Sequence, residues 1–531
     1  MSNRRSILQA ALTVPAVLFL PTAGAVTLTD SGVASGEPRP DGVVIWTRVP
    51  EYAQTGGAVT GTFKVSLNPD LSAPVVTGSF STSPTVDYTV KIQVTGLAAF
   101  TRYYYGFTTT TGYTSVIGRT KTAPAENSQP AEIRFAYFSC QDFTQGYYTV
   151  YANLVAKDDV DFCVHLGDNI YETGAAGFQT GQVREDTIGG GEATTLDHYR
   201  QKYKLYLSDP NLLEARRLFP FITLWDDHEV YNDYYGPGVG RTDPNRQRAG
   251  YQAFLEYNTA LPVEPLSTTN PPKVRMYRQF VFGNLMEMFV LDLRQYRNGP
   301  PCRLNYFTPG CLNLDDPNPF APERTMMGTN QKSWFKTEIN NSTRRWKMVL
   351  NEMMMQEFKI LDVGLFRGVP QKLFKQPYAI EIGLYINLDA WDGYPAERKE
   401  LLQFIKGNEI KNVVFCTGDI HNCYASELRT DFDAVGVPAA AVEVVGGSVS
   451  SAGVTELAGS DLTLLGRPIL YDANPSLKYL DLKSHVYTKM VVTAAEVKVT
   501  YEAVNTVIQP TSGTFRLAAF SIPDGESRFV F

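Results

Sequence analysis

Residues 161–172, Asp-Phe-Cys-Val-His-Leu-Gly-Asp-Asn-Ile-Tyr-Glu, decide how this chain is read. The run 162–166 is short and mostly apolar, as expected of a strand buried on both faces. Gly167 ends the run and lets the backbone turn tightly. Asp168, Asn169 and Tyr171 follow, each carrying an oxygen donor. Ligands of open α/β sheets sit just beyond the carboxyl ends of the strands. A carboxylate there, with a phenol three residues on, suits a multivalent cation. A turn aspartate after a core strand is the plainer alternative for a lone Gly-Asp pair, and the surrounding chain decides between the two.

Outward from this stretch the pattern recurs. Strands are predicted over 133–138, 221–225, 285–291, 348–350, 413–415 and 439–445, with amphipathic helices over 246–257, 331–339 and 397–405. This alternation specifies an α/β sheet. Ser139-Cys140-Gln141-Asp142, Trp225-Asp226-Asp227-His228-Glu229, Asn351-Glu352 and Cys416-Thr417-Gly418-Asp419-Ile420-His421 stand at the ends of four further strands. Five strands thus deliver thiol, carboxylate, amide or imidazole to one edge, which predicts a metal site there.

Ligand type narrows the metal. Of the five histidines, His165 lies inside an apolar run and reads as a satisfied core residue, while His198 and His485 stand apart from the other donors. His228 and His421 remain, too few for a His-dominated zinc pair. The oxygen donors favour Ca²⁺, Mg²⁺ or Mn²⁺. A phenolate from Tyr171, a thiolate from Cys140 and an imidazole would suit Fe³⁺ by the same reasoning.

The bulk properties set the frame. At 531 residues, more than one domain is expected. A net charge of −7 argues against binding driven by neutralising nucleic-acid phosphates. Arg4-Arg5, the apolar run 7–20 and Ala23-Gly24-Ala25 give residues 1–25 the form of a signal peptide, with a twin-arginine character. No later run approaches the ~20 apolar residues of a membrane span, so a periplasmic or secreted protein using the export machinery is expected. Residues 26–125 read as an all-β unit, a small sandwich. Residues 121–130 read as a linker, and 132–531 as a second, α/β domain. The glycine-rich stretch 174–191 reads as a surface loop, and the chain turns β again after about residue 485. Among the six cysteines, Cys302 and Cys311 are placed for a short bridge, Cys163 and Cys416 read as buried thiols, and Cys423 fits either role.

These motifs, with Leu291-Asp292-Leu293-Arg294-Gln295-Tyr296-Arg297 and Trp391-Asp392-Gly393-Tyr394-Pro395, resemble the alkaline phosphatase D (PhoD-like) family of metallophosphoesterases over nearly the whole mature chain. The resemblance implies a calcineurin-like core, a two-layer sheet sandwich flanked by helices, with an N-terminal fibronectin- or immunoglobulin-like sandwich. It implies hydrolysis of phosphomonoesters and phosphodiesters with Fe³⁺ and Ca²⁺, a Mn²⁺- or Zn²⁺-type divalent cluster being the alternative. Asp168 would bridge the metals. Cys140, Tyr171 and His421 would complete an iron site, and Asp227, Asp419 and Asn351 would hold calcium. Metal-generated hydroxide would attack phosphorus in line. His228 would protonate the leaving alkoxide or hold the phosphate, and Arg294 would bind phosphate. The chain departs from the family pattern at Asn169 and at Asn351-Glu352, where Glu352 could join or replace Asn351. Two rival readings are a phospholipase D-type phosphodiesterase acting on lipid or cell-wall polymer, and an extracellular metal-binding module. The second leaves His228, between Asp227 and Glu229, without a purpose.

Overall fold

The structure is a computed structural model that describes residues 31–174, 182–236, 243–300, 321–362, 383–385, 387–434 and 436–531. Arg4-Arg5, the rest of the expected signal peptide, and Cys302 and Cys311 lie outside the described residues.

Along Glu132–Phe138, neighbouring side chains point to opposite faces, and each face has its own core. Phe135 and Tyr137 enter one apolar cluster, Ala136 and Phe138 another. Phe162–Leu166 behaves the same way, with Phe162 and Val164 on one side and Cys163 on the other. Burial on both faces is why these strands read as continuous apolar runs. Phe162–Leu166 runs parallel between Glu132–Phe138 and Pro220–Leu224. In a second sheet, Met286–Val290, Trp346–Asn351, Val413–Thr417 and Ala441–Val445 lie parallel in that order. The two sheets pack face to face through Phe135, Val164 and Ile222 against Met288, Met348 and Val442. Helices Thr149–Lys157, Leu196–Tyr206, Pro210–Leu218 and Pro244–Tyr257 cover the outer face of the first sheet. Gly328–Asn341 and Pro395–Gly407 cover the second. The expected two-layer sheet sandwich flanked by helices is therefore present.

The N-terminal strands form a sandwich, but one of its sheets is not its own. Val59–Ser66, Val76–Thr82, Arg102–Thr109 and Gly118–Lys121 make a separate four-stranded sheet. It packs against Val33, Val43, Ile45, Val90 and Val94 through Phe63, Val65, Tyr103 and Phe107. The strands carrying those five residues extend the catalytic sheet, because Val33–Arg39 pairs in parallel with Pro220–Leu224. Before Arg102–Thr109, the Ala98 N–H donates to the Tyr103 hydroxyl (2.8 Å).

The late strands Val486–Thr493, Glu496–Val504 and Thr514–Pro523 complete the other edge of the same sheet, so that it has nine strands among the described residues. Within the glycine-rich stretch, Asp186 is buried against Lys202 rather than solvated as a surface loop would be. Among the described residues no helix is long and apolar enough to cross a membrane.

Candidate metal centre and active site

Both sheets send their carboxyl ends to one place, where the chain leaves them through strained turns. Cys140 (φ 57°), Asp168 (φ 56°), Asp419 (φ 68°) and His421 (φ 59°) all adopt the left-handed region. Each costs on the order of 1–3 kcal/mol for a non-glycine residue and persists only where the surroundings enforce it. Gly167 (φ +105°) makes the approach possible, since a Cβ there would lie 2.4 Å from Asp226 Cβ. Across the sheets, a Cβ on Gly418 would sit 2.9 Å from Ser139.

The first cluster joins Cys140, Asp168 and His421, whose donor atoms lie within 4.8 Å of one another. The Tyr171 hydroxyl is 2.9 Å from Asp168 Oδ2 and 3.2 Å from His421 Nε2. His421 Nδ1 lies 2.8 Å from the Ala452 carbonyl, which can only accept, so Nδ1 carries the proton and Nε2 keeps its lone pair toward the cluster. Burial also pulls His421 down to about 4, keeping the imidazole neutral. Ser451 Oγ, 2.9 Å from the Tyr171 hydroxyl, closes the back of the cluster.

The second cluster is carboxylate only. Asp226, Asp227 and Asp419 form one group, and Asp227, Asp233 and Asp389 another, sharing Asp227. Asp168, Asp227 and a ring nitrogen of His228 connect these to the first cluster. Burial opposes the charge on Asp227, but the Arg294 guanidinium and His228 outweigh it and hold this carboxyl at about 2. His228 is likewise opposed by burial, yet Glu172, Asp227 and Asp168 raise it well above the ordinary imidazole value. Its Nδ1 is 2.6 Å from Glu172 Oε2, and its ring stacks on Tyr171 at 4.0 Å between centroids.

The donor set fits cations. Burial pushes Cys140, Asp168 and Tyr171 well above their usual values, so their anionic forms call for a positive charge among them. Asp168 Oδ1 and Asp226 Oδ2 are buried without a hydrogen-bond partner among the described residues. Thiolate, phenolate and imidazole at one end suit a ferric ion, and the carboxylates at the other suit a hard divalent ion.

Most of the residues expected from the sequence converge here: Cys140, Asp168, Tyr171, Asp227, His228, Asp419 and His421. Arg294 converges too, among the carboxylates. Its guanidinium is fully buried and donates to Asp226, Asp389 and Asp419 (3.3 Å), with Asp227 at 3.4 Å. It therefore supplies these carboxylates with a buried counter-charge. Asn351 is held by Thr417 Oγ1 (3.0 Å), the Met353 carbonyl and Trp391 Nε1 (3.3 Å). Glu352 is buried, with Oε2 unpartnered. Two histidines also differ from expectation. His165 is buried with no well-formed hydrogen bond at either ring nitrogen among the described residues, the Gly167 backbone lying beside it, and His485 has company in Ser448 (3.0 Å) and Glu456 (3.1 Å). Sequence reasoning missed Asp233 and Asp389, because neither directly follows a strand. Their signal was proximity to quoted motifs: Asp389 stands two residues before Trp391, and Asp233 four after Glu229.

Comparisons with known proteins agree with this geometry. The model of the PhoD-like phosphatase family matches residues 135–501, and that of its N-terminal domain matches residues 21–124. The chain is 32% identical over 507 residues to alkaline phosphatase D of Bacillus subtilis (strain 168), covering 92% of this chain and 80% of the relative. A solved structure described as that of PhoD superposes with a TM-score of 0.80 at 29% identity, covering 96% of this chain and 93% of the other. The chain belongs to the PhoD-like phosphatases and is a phosphoester hydrolase.

Proposed function

We propose that the chain is an exported, metal-dependent hydrolase of phosphate mono- and diesters, with Fe³⁺ in the Cys140–Asp168–Tyr171–His421 cluster and Ca²⁺ among the carboxylates. The observation that carries this reading is the abutment of a thiol–phenol–imidazole cluster and an all-carboxylate cluster through Asp168 and Asp227. Bound cations would supply Lewis acidity toward the phosphoryl group and toward water. Asp168 has one oxygen at Tyr171 and the other unpartnered, a disposition suited to bridging. His228, kept charged by Glu172 and the aspartates, is the group that hands a proton to the leaving alkoxide. Arg294 keeps four carboxylates from repelling one another and so preserves the spacing of the donors. The calcineurin-like and fibronectin-like assignments of the two sandwiches belong to this proposal, as does twin-arginine export. Replacing Arg4 and Arg5 by lysine should stop export, and unchanged secretion would point to the general route.

The test is release of p-nitrophenol from mono- and bis-p-nitrophenyl phosphate by metal-replete protein, with metal content measured alongside. Asp168→Asn is expected to lower turnover by at least ~10²-fold, the scale of losing one transition-state stabiliser, with the fold intact. Near-normal turnover with full metal content would remove Asp168 from the bridging role. A ferric site with phenolate and thiolate donors should be coloured, and Cys140→Ser and Tyr171→Phe should each change the absorption band. A colourless, active protein without iron would overturn the ferric assignment.

A further inference from the structure

Behind the loop that carries Asp168 lies a partly enclosed cavity of about 20 Å³, lined by Gln141, His165, Asn169, Tyr203, Arg216 and Asn258, among others. It is not part of the metal clusters, and its chemistry is different. Arg216 is buried, with 8% of its surface exposed. It donates to the Tyr257 carbonyl (2.8 Å) and lies over the Trp46 ring at 5.0 Å, and it makes no ion pair among the described residues. The ionisable groups around it are phenols, Tyr105, Tyr151 and Tyr203. Nearby, the half-buried Lys91 amine donates to the Leu255 and Ala260 carbonyls and has Glu37 and Glu256 as its own counter-charges. His165, 2% exposed, has only the Gly167 backbone close to its ring, and the Tyr203 hydroxyl only the Asn258 side chain; neither contact reaches good hydrogen-bond geometry among the described residues.

A buried cation without a counter-charge is costly, as is a buried donor without an acceptor. Both deficits face the same cavity, and both are met by an anion. A water would satisfy a donor but leave the guanidinium charge uncompensated. The volume exceeds the ~10–15 Å³ that one water requires, yet it is too small for a polyatomic oxyanion with its own hydrogen-bonding shell.

We propose that this cavity is a structural site for a monatomic monovalent anion, chloride in practice, held by the Arg216 guanidinium, an N–H of His165 and the Tyr203 hydroxyl. Its position gives it a task. Gln141 donates through Nε2 to the Asn169 carbonyl (2.8 Å) and through its backbone N–H to the Asp168 carbonyl (3.3 Å). The anion thus sits beneath the turn that aims Asp168, and it fixes the polar floor on which that turn rests.

The test uses the full-length, metal-loaded protein. Crystals grown with bromide in place of chloride should show an anomalous peak inside the cavity, within hydrogen-bond distance of Arg216 and a ring nitrogen of His165. Water alone in the cavity, an empty cavity, or bromide only at the surface overturns the proposal. In solution, the melting temperature should rise saturably, on the order of 2 °C, when chloride replaces gluconate at constant ionic strength. Arg216→Gln should abolish that response. Tyr203→Phe, which keeps the cation and removes one donor, should weaken it and serves if the arginine variant does not fold. Equal melting of the native protein in both salts overturns the proposal.

Discussion

The Asp168 turn is held by a carboxylate outside the candidate donor groups. Glu229 accepts from the backbone N–H groups of Asp168 (3.3 Å), Asn169 (2.6 Å) and Asp226 (2.8 Å), and from Asn169 Nδ2 (2.7 Å). A glutamine keeps one acceptor oxygen but turns an NH₂ group toward an N–H. Glu229→Gln is therefore expected to lower turnover ~10–100-fold, as loss of a ligand-orienting partner does, with the circular dichroism spectrum unchanged. Turnover equal to that of the native enzyme would show that the turn holds itself. The motif containing Glu229 was visible in the sequence, but not its role. Nothing in linear spacing says that the side chain at 229 returns to the backbone at 168, some sixty residues earlier. The same holds for Arg294, whose engagement with four carboxylates depends on three separate segments meeting at it.

Between elements, buried charges do the fastening, and two predictions follow from how they are paired. Lys202, on Leu196–Tyr206, is fully buried with Asp186 and also donates to the Thr173 carbonyl (3.0 Å). Lys202→Met leaves an uncompensated carboxylate and should cost about 3–5 kcal/mol. Adding Asp186→Leu should recover part of that loss in urea unfolding, and a double variant no better than the single would sink the pairing argument. Glu443, on Ala441–Val445, accepts from the Met355 (2.7 Å) and Gln356 (2.8 Å) N–H groups and from Thr417 Oγ1 (2.7 Å). Burial pushes it up to about 7. Between roughly pH 4.5 and 7 the folded chain keeps a proton that the unfolded chain has released, so this group's contribution to stability falls as pH rises through that window. Melting curves of Glu443→Gln should have a shallower pH slope there than the native protein. Parallel slopes would place the titration elsewhere.

At the scale of the molecule, the N-terminal sandwich and the catalytic core share one continuous sheet. Val33–Arg39 is joined to Pro220–Leu224 by backbone pairing, and Arg278 reaches across to Glu37 as a buried ion pair. Trp46 Nε1 donates to the Glu256 carbonyl (2.8 Å) from the same strand group. Separating the two parts would expose an unpaired central strand edge. Calorimetry is expected to show one cooperative transition for the mature chain, and deletion of residues 31–125 is expected to leave an aggregating remainder. Two resolved transitions, or a soluble and active remainder, would refute the coupling.

What the sequence determined by itself was local. Runs of apolar residues closed by Gly-Asp, Asp-Asp-His-Glu or Cys-Gln specify buried parallel strands with donors at their carboxyl ends, because strand length, double-sided burial and turn chemistry are written over a few consecutive residues. Cys140, Asp168, Tyr171, Asp227, His228, Asp419 and His421 were legible for that reason. The tertiary structure alone decided which donors lie beside which, because neighbours in a cluster come from strands hundreds of residues apart whose register only sheet packing fixes. It placed the Arg294 guanidinium among the carboxylates and brought Asp233 and Asp389 into their group. It left His165 and Arg216 facing the same buried space, since burial and lost partners are properties of the packed interior and not of the chain.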